Sequence, residues 1–158
     1  TNLDVLQLGR WQDSPSHHIE VVSQEFLKEL EYLGYLSLRG ISRISEMPPS
    51  ISQREYLQIL DLKACHNLET LPNDISSMRC LRHLILSQCC LLDGMPKGIE
   101  KLSRLQVLKG FVSGSSRMIP CKISDLANLK KLRRLSIHIG SEAVIKDGEF
   151  ESVRVVST

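Results

Sequence analysis

The chain has 158 residues, of which 42% are hydrophobic, and this length is enough for one domain with a sizeable core. Its 20 basic and 18 acidic residues give a net charge of +2, which argues against binding to nucleic acid or an anionic membrane through a global field. Aromatic residues make up only 4%, so the core must consist mainly of Leu, Ile and Val. No apolar run approaches the roughly 20 residues of a membrane span.

The first predicted element is a strand near residues 4–8, in a unit that begins at Leu3. The next unit begins 30 residues later, at Leu33, and the excess falls in "WQDSPSHHIEVVSQ", which we interpret as an enlarged outer loop. "EFLKELEYL" follows, and its apolar residues at 26, 27, 30 and 33 favour a helical turn.

From Leu33 onward the sequence repeats every 24 residues. Several independent columns keep this spacing: Leu33, Leu57, Leu81, Leu105; Leu36, Leu60, Leu84, Leu108; Leu38, Leu62, Leu86; Pro48, Pro72, Pro96; and Ile51, Ile75, Ile99. Each unit begins Leu-x-x-Leu-x-Leu, and the alternation at its end predicts a short strand with one buried face. The proline cannot donate a ladder hydrogen bond, so it is predicted on the return segment, outside the sheet.

Six units are predicted, beginning near residues 3, 33, 57, 81, 105 and 132, with strands near 4–8, 34–38, 58–62, 82–86, 106–109 and 133–137. Gly110 stands where the third leucine of the fifth strand should be, and "GFVSGSSRMIP" carries an insertion. "GSEAVIKDGEFESVRVVST" gives no clear seventh outer arc. Arg54 shares a column with Met78 and Leu102, and we expect it to reach solvent at a weak spot in its coil.

One such unit cannot bury enough apolar surface to fold alone, so neighbouring coils must share strand hydrogen bonds and a core. The repeat therefore predicts an α/β solenoid over residues 1–158. A parallel sheet of short strands forms its concave face, and irregular or short helical arcs form its convex face. Because neither end shows a capping motif, we expect a fragment of a longer protein that self-associates or dissolves poorly.

The five cysteines are odd in number, and no two form a Cys-x-x-Cys pair, so reduced thiols in the cytosol are predicted. The chain has no Asn-x-Ser/Thr sequon, which fits the same compartment. Cys65 and Cys89 share one column at the end of a strand, where a small side chain with weak hydrogen-bonding capacity fits against the turning backbone. Cys90 is interpreted as a partly exposed thiol of ordinary reactivity.

The pattern Leu-x-x-Leu-x-Leu-x-x-Cys-x-x-Leu, followed by Leu-Pro-x-x-Ile, resembles the leucine-rich repeats of plant intracellular disease-resistance proteins. "LSRLQVLKGFVSG" and "ISDLANLKKLRRLSI" are similar to a region of their coiled-coil subgroup, in which an irregular Phe-containing repeat precedes such a segment. The resemblance spans roughly residues 30–150. It implies the horseshoe form of the solenoid and a role in innate immunity.

In that family the repeat domain restrains a nucleotide-binding module and senses a pathogen effector or a guarded host kinase or pseudokinase. The resemblance therefore implies these protein partners and a cytoplasmic location, with membrane association only through other domains. The chain has no Gly-x-x-x-x-Gly-Lys-Ser/Thr loop, so it is expected to hold no cofactor itself. ADP or ATP is expected only in the nucleotide-binding domain, which lies outside this sequence.

In a horseshoe, the outward positions of the strands form the usual recognition surface. One predicted ladder holds Val5, Tyr35, Ile59, His83, Val107 and Arg134, and the other holds Gln7, Ser37, Asp61, Ile85, Lys109 and Ser136. We predict a protein-binding spot at Tyr35, Ile59 and His83, ringed by Arg39, Asp61, Lys63 and Arg82, with Arg134 further along the same face. An ordinary solvated sheet face remains the alternative.

Other signals for chemistry are weak. "LKKLRRLSIHI" could meet an acidic partner surface, but its interleaved leucines equally suit a solvated coil. His17 and His18 lack further ligands at a metal-binding spacing, and no nucleophile lies in a Gly-x-Ser-x-Gly frame, so no enzyme is predicted. A cytosolic repeat scaffold and the substrate-recruiting part of a ubiquitin ligase stay open as alternative functions.

Overall fold

The computed structural model describes residues 3–8, 30–113 and 121–139. The predicted outer loop, the helical turn over 25–33 apart from its last residues, and the segment after 139 lie outside these ranges. Within them, no helix is long and apolar enough to cross a membrane.

Six short strands form one parallel sheet in which the strand order follows the chain order. They are β1 Val5–Gln7, β2 Tyr35–Ser37, β3 Ile59–Asp61, β4 His83–Ile85, β5 Val107–Ser113 and β6 Arg134–Ile139. The outer arcs carry short 3-10 helices at Pro49–Gln53, Ile75–Ser77, Ile99–Lys101 and Ile123–Asn128. These elements confirm the solenoid, the position of all six predicted strands and the short helical arcs, while β5 and β6 run past their predicted ends at 109 and 137. We use the word coil for one repeat unit of the solenoid and number each coil by its strand.

The strands are held in a register that stacks the central leucines of successive coils. Leu36 pairs with Leu60, Leu60 with Leu84, and Leu84 with Leu108. All four side chains are at most 1% exposed. Because parallel strands lie roughly 4.8 Å apart, the stacked leucines form one continuous core rather than a series of separate ones.

The cysteine column closes β3 and β4 as the sequence predicted. The thiol of Cys65 donates to the carbonyl oxygen of Leu38 at 3.1 Å, and the thiol of Cys89 donates to that of Leu62 at the same distance. Each bond joins one coil to the coil before it. Both cysteines are buried, so a thiol is small enough to fit and polar enough to satisfy a carbonyl where the chain leaves the sheet.

Gly110 is the extra residue of a β-bulge, and this corrects the prediction that the fifth strand ends at 109. The strand continues to Ser113, and its register with β6 shifts between Lys109 and Phe111. Phe111 is fully buried in the place of the missing leucine. Gly110 has φ +79°, and an added Cβ would lie 2.6 Å from the carbonyl carbon of Leu86, so only glycine fits.

Arg54 is buried at 8% exposure, so the expectation that it reaches solvent was wrong. Its backbone N–H donates to Ile51, as that of Met78 donates to Ile75 and that of Leu102 to Ile99. This shared turn directs the side chain inward whatever its chemistry. The aliphatic stem of an arginine can follow such a path along apolar surface.

Candidate protein-recognition surface

The first predicted ladder forms the centre of the concave face. Val5, Tyr35, Ile59, His83, Val107 and Arg134 are paired strand to strand in unbroken register. Tyr35, Ile59 and His83 are half-buried, whereas Val5 and Arg134 are exposed. The structure therefore brings the three central residues of the predicted spot onto adjacent strands. It places them side by side, and their binding role stays a prediction.

The second ladder is also in register, with one departure from expectation. Ser37 is 1% exposed rather than available on the surface, because its short side chain lies in the row between Gln7 and Asp61. The carboxylate of Asp61 accepts a hydrogen bond from the Lys63 backbone N–H at 2.9 Å. Asp61 therefore supports the turn after β3 besides being half-buried at the concave face.

The remaining predicted residues lie at the two rims of the sheet. Arg39 and Lys63 follow β2 and β3, and Arg39 is exposed while Lys63 is half-buried. Arg82 is exposed immediately before β4. The concave spot thus has an apolar and aromatic centre and a charged edge, the arrangement found at protein interfaces.

His83 is neutral near pH 7, which keeps the centre of the spot uncharged. Partial burial lowers its pKa from the usual 6.5, and the nearby positive charges of Arg134, Arg82 and Lys109 lower it further. An uncharged imidazole between Ile59 and Val107 adds to a neutral surface, and a partner carboxylate beside it would favour its protonation.

Sequence reasoning missed an exposed aromatic pair beside this spot. The rings of Tyr32 and Tyr56 stack with centroids 5.5 Å apart, and each side chain is 52% exposed. They stand immediately before the first leucines of units 2 and 3. The signal was present, because the two tyrosines are 24 residues apart like the leucines that follow them.

The three buried cysteines, Cys65, Cys89 and Cys121, donate hydrogen bonds from their thiols to backbone carbonyls. Burial raises the pKa of Cys65 to about 12, that of Cys89 to about 11 and that of Cys121 to about 12. These thiols stay protonated, as hydrogen-bond donors must. Cys90 is exposed, with its Sγ 3.7 Å from Nδ1 of His66. The described residues contain no cluster of three His, Cys, Asp or Glu that could hold a metal ion, and His17 and His18 lie outside them.

The leucine-rich repeat region family matches residues 1–154, and the chain belongs to this family. The fold and the outward-facing concave ladder are those of a leucine-rich-repeat protein-interaction domain, a class that generally works by binding. The curated proteins contain no significant match to the sequence.

Solved structures of leucine-rich-repeat proteins resemble the chain. A Leptospira interrogans protein is 26% identical over 77% of this chain, with a TM-score of 0.54. The repeat domain of the type III effector XopL is 32% identical over 58%, with a TM-score of 0.52. Internalin C2 from Listeria monocytogenes is 20% identical over 80%, with a TM-score of 0.56, which supports the fold alone. The chain covers 30%, 31% and 50% of these structures respectively.

Proposed function

We propose that the chain is the recognition and autoregulatory repeat region of a plant intracellular innate immune receptor. Its concave face binds a pathogen effector or a guarded host protein, or contacts the receptor's own nucleotide-binding module and restrains it. The chain acts in the cytoplasm by binding, without chemistry or a cofactor of its own. ADP or ATP belongs to the nucleotide-binding module.

The observation that carries the binding role is the row Tyr35, Ile59 and His83 on three adjacent strands. A tyrosine, an isoleucine and a neutral histidine lie side by side at positions that point away from the core. Such a group of apolar and aromatic side chains is typical of an interaction site and not of a solvated sheet face. Arg39 and Arg82 at the rims add donors that can orient a partner.

The immune context is supported by the sequence pattern. The Cys column and the Leu-Pro-x-x-Ile arc resemble the repeats of intracellular disease-resistance proteins, and the cysteine thiols make the inter-coil bonds that such a column needs. The sequence upstream in the gene provides the first test. A phosphate-binding loop supports the receptor, an F-box would replace the proposal by a ubiquitin ligase, and the lack of both would favour a scaffold.

The binding test uses the full-length receptor with Tyr35, Ile59 and His83 all changed to Glu. Three exposed arc residues, Gln53, Asn73 and Ser124, changed to Glu supply a control with the same added charge. Co-precipitation with the separately expressed nucleotide-binding module and constitutive signalling are both measured. We expect the concave variant to lose partner binding or to signal without a stimulus, and the control to do neither. Wild-type behaviour of the concave variant in both measurements would exclude this face.

A further inference from the structure

A second surface adjoins the concave spot, shares Arg82 with its charged edge, and runs along the residues that lead into the strands. We call it the approach flank: residues 31, 32 and 34 before β2 and their equivalents before β3 to β6. The backbone N–H groups of Gln58, Arg82, Gln106 and Arg133 each donate to the corresponding residue of the coil before, starting at Gly34. These bonds align the flank from one coil to the next.

The charge of this flank changes abruptly between β3 and β4. Before β2 and β3 it carries Glu31 and Glu55 beside the stacked tyrosines. Before β4, β5 and β6 every charged residue on it is a cation, and all six are exposed: Arg79, Arg82, Arg104, Lys130, Lys131 and Arg133. We call these six residues the cationic flank. Arg134 continues it onto the concave face.

The described residues from 79 to 139 supply little negative charge to balance the cationic flank. They contain three acids, Asp93, Glu100 and Asp125, against eleven lysines and arginines. The carboxylate of Glu100 accepts from the Gly98 backbone N–H at 2.7 Å, and that of Asp125 from the Lys122 backbone N–H at 2.9 Å. Two of the three acids therefore serve the backbone of the outer arcs.

Within the described ranges no carboxylate pairs with the cationic flank. Arg104 donates to the sulfur of Cys80 at 3.6 Å, and Lys130 donates to the carbonyl of Ala127 at 3.1 Å. Both partners are uncharged. Like charges set on neighbouring coils about 5 Å apart repel one another, and an acidic ligand would relieve that repulsion.

We propose that the cationic flank binds an acidic polypeptide segment of a partner protein. Four of its six cations are arginines, whose planar guanidinium groups bind carboxylates through paired hydrogen bonds. Half-buried Val107 and Ile85 lie on the adjoining sheet face and offer apolar contact to the same segment. The inference does not depend on the immune role.

A polypeptide fits this surface better than a nucleic acid. Non-specific binding of single strands uses aromatic side chains on which bases stack. Phe111 is the sole Phe, Tyr or Trp among the described residues between 79 and 139, and it is fully buried. The exposed tyrosines lie on the other part of the flank, beside glutamates that would repel phosphates.

The experiment measures the binding of the whole chain to a fluorescent peptide of about twelve alternating Glu and Ser residues, long enough to span the flank when extended. The test variant carries Arg79→Glu, Arg104→Glu and Lys131→Glu. The control carries Lys97→Glu, Lys101→Glu and Lys122→Glu, which remove the same net charge from exposed arc positions. Circular dichroism checks that both variants keep the fold.

We expect the dissociation constant to rise about tenfold or more in the test variant and less than about threefold in the control. In a second variant, Glu31→Arg with Glu55→Arg extends the cationic flank and should tighten binding. Equal weakening in test and control variants would show an effect of net charge alone and overturn the proposal. Tighter binding of a single-stranded oligonucleotide or of anionic vesicles, lost in the same test variant, would replace the polypeptide by that ligand.

Discussion

The coils on either side of the β3–β4 boundary have the same interior and opposite approach flanks. Leu60 and Leu84 are paired in the sheet and equally buried. On the flank, Glu55 and Tyr56 before β3 give way to Arg79 and Cys80 before β4. The repeat therefore fixes the columns that face the core and leaves the surface columns free to change sign within one step. Recognition in this molecule is expected to depend on those free columns.

The largest expected effect comes from breaking the stack on the cationic side. Gly110→Val places a β-branched side chain at φ +79° and against the backbone of Leu86, and we expect it to cost about 4 kcal/mol of unfolding free energy. Urea denaturation followed by circular dichroism measures the loss. Gly98→Ala is the comparison variant, because its φ of +118° also disfavours a side chain but its added Cβ would approach no atom closer than the Ser76 Cβ at 3.2 Å. The difference between the two variants therefore reports the clash with the Leu86 backbone. Equal, small effects of both variants would mean that the bulge can relax.

The same bulge shows where sequence reasoning stopped. The leucine spacing predicted the six strands because one buried face repeats in each unit. It could not show that a glycine in a leucine column shifts the register and delivers Phe111 to the core, since this depends on the pairing of β5 with β6. Arg54 was misjudged for a related reason, because its orientation follows from the turn of the arc and its chemistry suggested the opposite.

The candidate surface was predictable only in part. The outward ladder follows from strand alternation, so the placement of Tyr35, Ile59 and His83 was available from the sequence. The stacking of Tyr32 on Tyr56 and the contact of Arg104 with Cys80 depend on how neighbouring coils pack just before their strands. The 24-residue spacing marks Tyr32 and Tyr56 as equivalent positions, but spacing alone does not show that their rings stack.

The shared interior predicts the same response to alkaline pH on both sides of the boundary. The pKa values of Cys65 and Cys89 are raised to about 12 and about 11, above the unfolded value of 9.0. Their stabilisation is therefore complete below pH 9 and is lost as the pH rises toward the folded values, by about 1.4 kcal/mol per thiol and pH unit. Urea unfolding between about pH 8 and about pH 10.5 measures this decline.

Cysteine variants isolate the thiol contribution from that of lysines and tyrosines. Cys65→Ala in coil 3 and Cys89→Ala in coil 4 each remove one titrating thiol, so each should flatten the alkaline decline to a similar degree. Cys90→Ser removes an exposed thiol and should leave the decline unchanged. A slope that is identical in all four proteins would show that the buried thiols do not control it.

His83 lies on β4, next to the β3–β4 boundary, and its pKa reports the electrostatic field of the nearby cations. Its pKa lies below 6.5 because of partial burial and because of Arg134, Arg82 and Lys109. Arg134→Gln should raise this pKa, whereas Arg133→Gln, which removes a neighbouring charge, should change it less. An NMR titration of the imidazole protons measures both shifts. Equal shifts would indicate a general effect of net charge and no specific field at His83.

His83 also has a predictable effect on the free energy of unfolding at acidic pH. Because its folded pKa is lower than its unfolded value, the unfolded chain takes up the proton first, and this group favours unfolding as the pH falls below 6.5. Because Arg134→Gln raises the pKa of His83 toward its unfolded value, this variant should reduce the part of the stability loss at low pH that His83 causes. Occupation of the cationic flank by the Glu-Ser peptide should act in the same direction, because added carboxylates stabilise the imidazolium.

The smallest expected effect concerns the tyrosines on the other side of the boundary. A double-mutant cycle with Tyr32→Ala and Tyr56→Ala should give a coupling energy of about 0.5 kcal/mol, near the low end for aromatic pairs because both rings are half in solvent. Urea denaturation of the four proteins of the cycle measures it. A coupling energy above about 2 kcal/mol would show that the stacked pair contributes substantially to the stability of the fold. A small coupling leaves the tyrosines inessential to the fold, so their exposed faces, like the cations beyond the boundary, are available to a partner.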